Sequence, residues 1–169
     1  MQCQWPSSGC CGAMSSSSTT SERRKPITRE DVLGKRIRRV FHVDLPRTEK
    51  FQPRSIVIEL ESGLRFSLEQ DSKVVDPVSG LGVLFPYPNS KGLNPVLEAA
   101  HEPNLDSPVK AMVTPYGWEY DCGVRLENGY VIHDGFSDWD NGVVFYLPDA
   151  ETKAALVEFD LPSIAPRPS

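Results

Sequence analysis

A catalytic or ligand-binding signature is what this sequence most plainly lacks. No nucleophile elbow surrounds any serine, although Ser, His and Asp are all present. Cysteine is scarce, with four in 169 residues: Cys3, Cys10, Cys11 and Cys122. That is no spaced disulfide framework of a small secreted domain. Zinc needs four ligands, and C-x6-C-C without a nearby histidine does not supply them, so the first three read as tail thiols. Long apolar runs are absent too, and a bilayer span needs roughly 18 such residues. The first residues show no charged segment followed by an apolar core, so no secretory signal is expected. A cytoplasmic protein, not embedded in a membrane, is the simplest expectation.

What is present is ordinary globular material. The chain is 39% hydrophobic and 24% charged, which sets aside collagen-like and wholly disordered classes. Fifteen prolines and twelve glycines suit short strands joined by many turns. Charge is less ordinary. Residues 1–54 hold 11 Lys+Arg against 5 Asp+Glu, and residues 55–169 hold 7 against 18, nets of +6 and −11. Such a split points to a basic arm or an acidic face that meets a partner. An acidic body argues against nucleic acid, whose binding rests on neutralising phosphates.

The stretch Ser55 to Glu69 organises the rest. Ile56, Ile58 and Leu60 alternate with Val57, Glu59 and Glu61, and after a turn Leu64, Phe66 and Leu68 alternate with Arg65, Ser67 and Glu69. Period two marks half-buried strands. A two-residue loop would oppose Leu60 to Arg65 and mix the faces. A three-residue loop, Glu61-Ser62-Gly63, opposes Leu60 to Leu64 and Ile58 to Phe66, with Glu59 against Arg65 on a wet face, and glycine takes the positive φ it needs. Leu126-Glu127-Asn128-Gly129-Tyr130 repeats the device. The same loop opposes Leu126 to Tyr130, Val124 to Ile132 and Cys122 to Asp134. A type I′ turn would instead pair Val124 with His133, so the three-residue form is preferred. Two hairpins of one sheet using the same turn is the simplest account of the repeat.

Around these hairpins the chain reads as follows. Residues 1–25 are a polar, serine-rich tail expected to be disordered, 26–161 a single globular domain, and 162–169 a frayed proline-rich tail. Thr28 caps one helical turn closed by Gly34. Lys35 to Val43 is a strand with Ile37, Arg39, Phe41 and Val43 on one face and Arg36, Arg38, Val40 and His42 on the other, its arginines guarding a sheet edge. Val74-Val75 and Val83-Leu84-Phe85 suggest short strands. Ser79-Gly80-Leu81-Gly82 is no phosphate loop, because Pro86 and Pro88 forbid the helix that must follow. Asn94-Pro95 opens a short helix to His101, which sits against its dipole. Val109, Ala111 and Val113 share a strand face, Val143 to Leu147 form an apolar strand, and Asp149 caps a helix before Val157 to Leu161. The sum is α+β: a mainly antiparallel, strongly twisted sheet or partly open barrel of six to eight short strands, with two or three short helices.

Two candidate sites follow. Trp118, Tyr120 and Trp139 fall near turns at one end of the second hairpin, beside Asp138 and Asp140, and aromatics rimmed by carboxylates suit a protein-binding hot spot for a basic partner. The alternative is a divalent cation held by Asp134, Asp138, Asp140 and Asn141, whose oxygens recur at alternate positions, though the spacing misses the helix-loop-helix calcium pattern and an Asx-rich turn explains it as well. No other cofactor is implied. Cys122 and His133 fall on opposite sheet faces, which argues against a Cys-His pair. The leading expectation is a small binding module without catalytic activity, adaptor-like or of the inhibitor or immunity type.

Overall fold

Both three-residue turns form as the alternation requires. Gly63 and Gly129 take φ of 84° and 93°, the amides of Leu60 and Leu126 bond the carbonyls of Leu64 and Tyr130, and Ile58 lies opposite Phe66 and Val124 opposite Ile132. The structure is a computed structural model and describes residues 25–44, 54–68, 75–76, 78–114, 122–136 and 141–164. In chain order the elements are α1 (Arg29–Val32), β1 (Ile37–Asp44), β2 (Arg54–Leu60), β3 (Arg65–Ser67), β4 (Val75–Asp76), β5 (Leu81–Gly82), β6 (Leu93–Glu98), a 3-10 turn (Pro103–Leu105), β7 (Val109–Thr114), β8 (Gly123–Leu126), β9 (Val131–Phe136), β10 (Asn141–Tyr146), α2 (Ala150–Ala155) and β11 (Val157–Phe159). They form a sheet in the order β3-β2-β1-β6, a second in the order β10-β9-β8-β7-β11, and the small β4-β5 hairpin. All named strand pairs are antiparallel and no sheet closes into a barrel. The fold is thus mostly antiparallel β with two short helices, and its strands number eleven among the described residues rather than six to eight.

The two turns belong to different sheets, not to one. They are the visible part of a larger repeat. In β1–β2, Ile37 faces Leu60, Arg39 faces Glu59 and Val40 faces Ile58, so Arg38 is an extra, bulged residue. In β7–β8, Val109 faces Leu126, Ala111 faces Arg125 and Met112 faces Val124, so Lys110 is the matching bulge. Order β3-β2-β1-β6 therefore repeats as β9-β8-β7-β11, bulge included. The halves meet where Arg36 bridges Pro108, flanked by Gly34 N–H to Val109 O and Val109 N–H to Lys35 O, both 2.8 Å. Arg36 and Pro108 are equivalent positions, and equivalents pairing with each other is what a local twofold relation requires.

The bulges explain where simple alternation fails. An extra residue flips every later side chain to the other face. Ile37 and Val40 therefore both enter the main core, while Phe41 and Val43 pass to the opposite face. Likewise Val109 and Met112 face the core, and Ala111 and Val113 do not share Val109's face. The main core joins Ile56, Ile58, Leu60 and Phe66 of the first sheet to Met112, Val124, Leu126 and Ile132 of the second. His42 adds a polar stitch: its Nε2 accepts the Val143 N–H at 3.0 Å.

Three further expectations are corrected. Asn94 to His101 is not a helix, since Leu93–Glu98 pairs with β1 as an edge strand. An edge tolerates Pro95, and the residue before a proline prefers extended backbone. His101 lies beyond that strand, exposed, with Nδ1 3.5 Å from Glu98. The arginines of β1 guard no edge, because β1 lies between β2 and β6. Finally, the Glu59 side is not wet. Glu59 is 3% exposed beside fully buried Val57. Of the short strands expected at Val74-Val75 and Val83-Leu84-Phe85, the first is met at Val75–Asp76, while residues 83–85 form no strand and the partner is Leu81–Gly82.

The helix starts expected at Thr28 and Asp149 form. Thr28 donates its N–H and hydroxyl to the Asp31 carboxylate at 2.9 and 2.7 Å, and Asp149 accepts the Thr152 N–H at 2.8 Å. Glu30 then holds the chain's far end: the Ser163 hydroxyl and the Ile164 N–H both donate to it, and Arg29 N–H donates to Pro162 O. The Ser163 hydrogen bond, above all, lowers the Glu30 pKa from 4.5 to about 2. Hydrogen bonds from Thr28 and Thr152 lower Asp31 and Asp149 in the same way. A carboxylate depressed in the folded state stabilises fully above its unfolded pKa and loses that contribution as pH falls through the folded one. For Glu30 the window runs from 4.5 down to about 2. Thermal melts across it should show the wild type losing more stability than Glu30→Gln, and parallel curves would remove the latch.

Candidate functional site

The residues expected to form the aromatic and acidic cluster are flanked by described strand ends. β7 ends at Thr114 and β8 starts at Gly123, next to Val113 in register. β9 ends at Phe136 and β10 starts at Asn141, paired with each other. β8 joins the two, with Gly123 opposite His133. Segments 115–121 and 137–140 therefore leave from the same end of the five-stranded sheet, and β11 begins there as well, with Val157 opposite Thr114. Trp118, Tyr120, Asp138, Trp139 and Asp140 lie outside the described residues. Asp134 is half-buried on β9 opposite Val143, and Asn141 opens β10. Among the described residues no three His, Cys, Asp or Glu side chains gather as a metal would need. Cys3, Cys10 and Cys11 also lie outside them.

Cys122 and His133 separate as expected. Cys122 is 2% exposed in the core. His133 lies on the outer face, its Nδ1 2.8 Å from Asp134 O and its ring edge-on to Tyr146 at 5.6 Å. Gly123 makes room there: a Cβ on it would sit 2.7 Å from Ile132 O and 2.9 Å from His133 Cβ.

The electrostatics were hidden from the sequence. Arg36, just before β1, and Arg38 and Arg39 within it pair with acids from later in the chain: Arg36 with Asp106 at 2.6 Å, Arg38 with Glu59 at 3.9 Å and Arg39 with Glu98 at 3.8 Å. Arg65 meets Glu59 at 2.5 Å and lies over the Phe41 ring. Part of the charge split thus closes inside the fold. Across the repeat the signs reverse, because Arg125 occupies the position of Glu59. Arg125 donates to Glu158, while its buried Nε has no partner.

No protein-family model, curated protein or solved structure matches this chain. No helix among the described residues is long and apolar enough to cross a membrane.

Proposed function

We propose that this chain is a protein-binding module that engages a basic partner through the end of the five-stranded sheet carrying Trp118, Tyr120, Asp138, Trp139 and Asp140. The observation that supports it most is the common exit of segments 115–121 and 137–140 from adjacent strands. A rigid sheet offering aromatics and carboxylates on neighbouring connections suits the anchor-and-rim composition of binding surfaces. Asp106, Glu59 and Glu98 are taken up by Arg36, Arg38 and Arg39, which cuts the net of −11 on residues 55–169 to −8, and this remaining acidic excess would steer a cationic partner. The activity is masking or docking in the manner of an adaptor or inhibitor, without a chemical step.

The test is a pull-down from the source cells with the tagged full chain, washed at low and at moderate salt. One stoichiometric basic partner, weakened as salt rises, is the expected result. An empty pull-down at both salts counts against the proposal. A rise in melting temperature on adding Ca²⁺ or Mg²⁺, removed by Asp140→Ala, would favour the cation-binding alternative instead.

A further inference from the structure

A cleft of about 260 Å³ opens where α1, β7, β11 and the β4-β5 turn meet. Four charged side chains line it: Arg29, Lys110, Glu158 and Asp160, with Gly80 beside them. The arrangement follows from the repeat. In the first half the bulged cation, Arg38, lies near the Glu59 carboxylate across the ladder. In the second half the bulged cation is Lys110, and the position of Glu59 holds Arg125. Arg125 takes Glu158 for itself. Lys110 is therefore left exposed, and the ion pairs of the described residues do not include it. Arg29 is held loosely, 4.0 Å from Asp160, both side chains about half exposed. Its planar fork keeps donors for a second carboxylate.

The carboxylates come from one side. Glu158 and Asp160 are two residues apart on one extended stretch, so they point to the same face, and Asp160 is pinned by backbone bonds to Gly80 and Gly82. The cations come from the other elements, α1 and the β7 bulge. A cleft with cations from one set of elements and carboxylates from another matches a ligand carrying both charges. Its volume lies just under the roughly 300 Å³ floor of pockets for drug-sized ligands, so the occupant is small.

We propose that this cleft binds a free amino acid, its carboxylate met by Arg29 and Lys110 and its ammonium group by Asp160 and the Glu158 oxygen that Arg125 does not hold. This inference does not rest on the protein-binding reading. Open, solvent-facing charge pairs contribute little each, so the affinity is on the order of mM.

The experiment is amide NMR of the full chain with single amino acids added to about 10 mM, well into the mM binding range. The expected shifts centre on Gly80, Lys110, Glu158 and Asp160. They should vanish with the N-acetyl derivative, which lacks the cation, and with the amino-acid amide, which lacks the anion. Lys110→Glu and Asp160→Asn alter exposed side chains and should leave the melting temperature in place; the charge reversal should weaken binding about tenfold and the neutralisation about threefold. No shift at these residues, equal shifts with either blocked derivative, or full affinity in both variants would overturn the proposal.

Discussion

Replacing Arg65 by methionine should destabilise the protein by about 3 kcal/mol, the low end of the range for stranding a buried charge. Glu59 is 3% exposed, and its carboxylate has two cations. Arg65 touches it at 2.5 Å, whereas Arg38 stays at 3.9 Å with its side chain 56% exposed. Losing Arg65 leaves only the distant, solvent-screened partner. That residual attraction is why the effect sits at the low end. The Arg65 guanidinium also lies 5.8 Å from the Phe41 ring centre, and methionine keeps an apolar contact there. The double variant Glu59→Met, Arg65→Met should recover most of the loss, because it removes the charge rather than stranding it. Urea unfolding of the two singles and the double would measure the coupling. Equal stability of Arg65→Met and wild type would mean that Glu59 is hydrated after all.

Gly123→Ala should cost about 2–3 kcal/mol, toward the upper end of overpacking penalties. The new methyl would meet the Ile132 carbonyl at 2.7 Å and His133 Cβ at 2.9 Å. Both belong to the paired strand, so neither swings away as a flexible side-chain end could. Relief requires parting β8 from β9, in the middle of the five-stranded sheet. Gly142→Ala is the control. It lies on β10 with nothing within 4 Å of the new methyl, and should stay within about 0.5 kcal/mol of wild type. A neutral Gly123→Ala would show that the β8–β9 spacing is looser than the structure has it.

Period-two patterning and a glycine at the last loop position were enough to set both hairpin registers, because each wrong register would have exposed a whole apolar face. The bulges at Arg38 and Lys110 left no such trace. An extra residue is visible only against the partner strand, and alternation read along one strand then puts Phe41 and Val113 on the wrong side. Asn94-Pro95 was misread for a related reason: cap and first-turn chemistry are local, while the free edge of β1 that claims this segment is not. Glu59 looked wet because carboxylates usually are, and only the fold places Arg65 and Arg38 around it. The charge split survived in part, since three of the basic residues find their acids at home. At the level of the candidate sites, the aromatic and acidic residues lie outside the described residues, and hairpin geometry reaches only the strand ends that flank them. The cleft between α1, β7 and β11 was not legible, because its four charged residues come from three distant parts of the chain and owe their imbalance to a reversal of sign at Arg125.

The measurement closest to the central claim compares partner capture by three forms of the full chain at one low salt concentration: wild type, Asp138→Asn/Trp139→Ala/Asp140→Asn, and Glu127→Gln/Glu151→Gln. The last removes two exposed charges away from the proposed surface and matches the net-charge change of the first variant. The account predicts that the partner is kept by wild type and by Glu127→Gln/Glu151→Gln, and lost from the triple variant while its melting temperature holds. Equal capture by all three forms would contradict it, as would loss from both variants alike, which would reduce the interaction to overall charge.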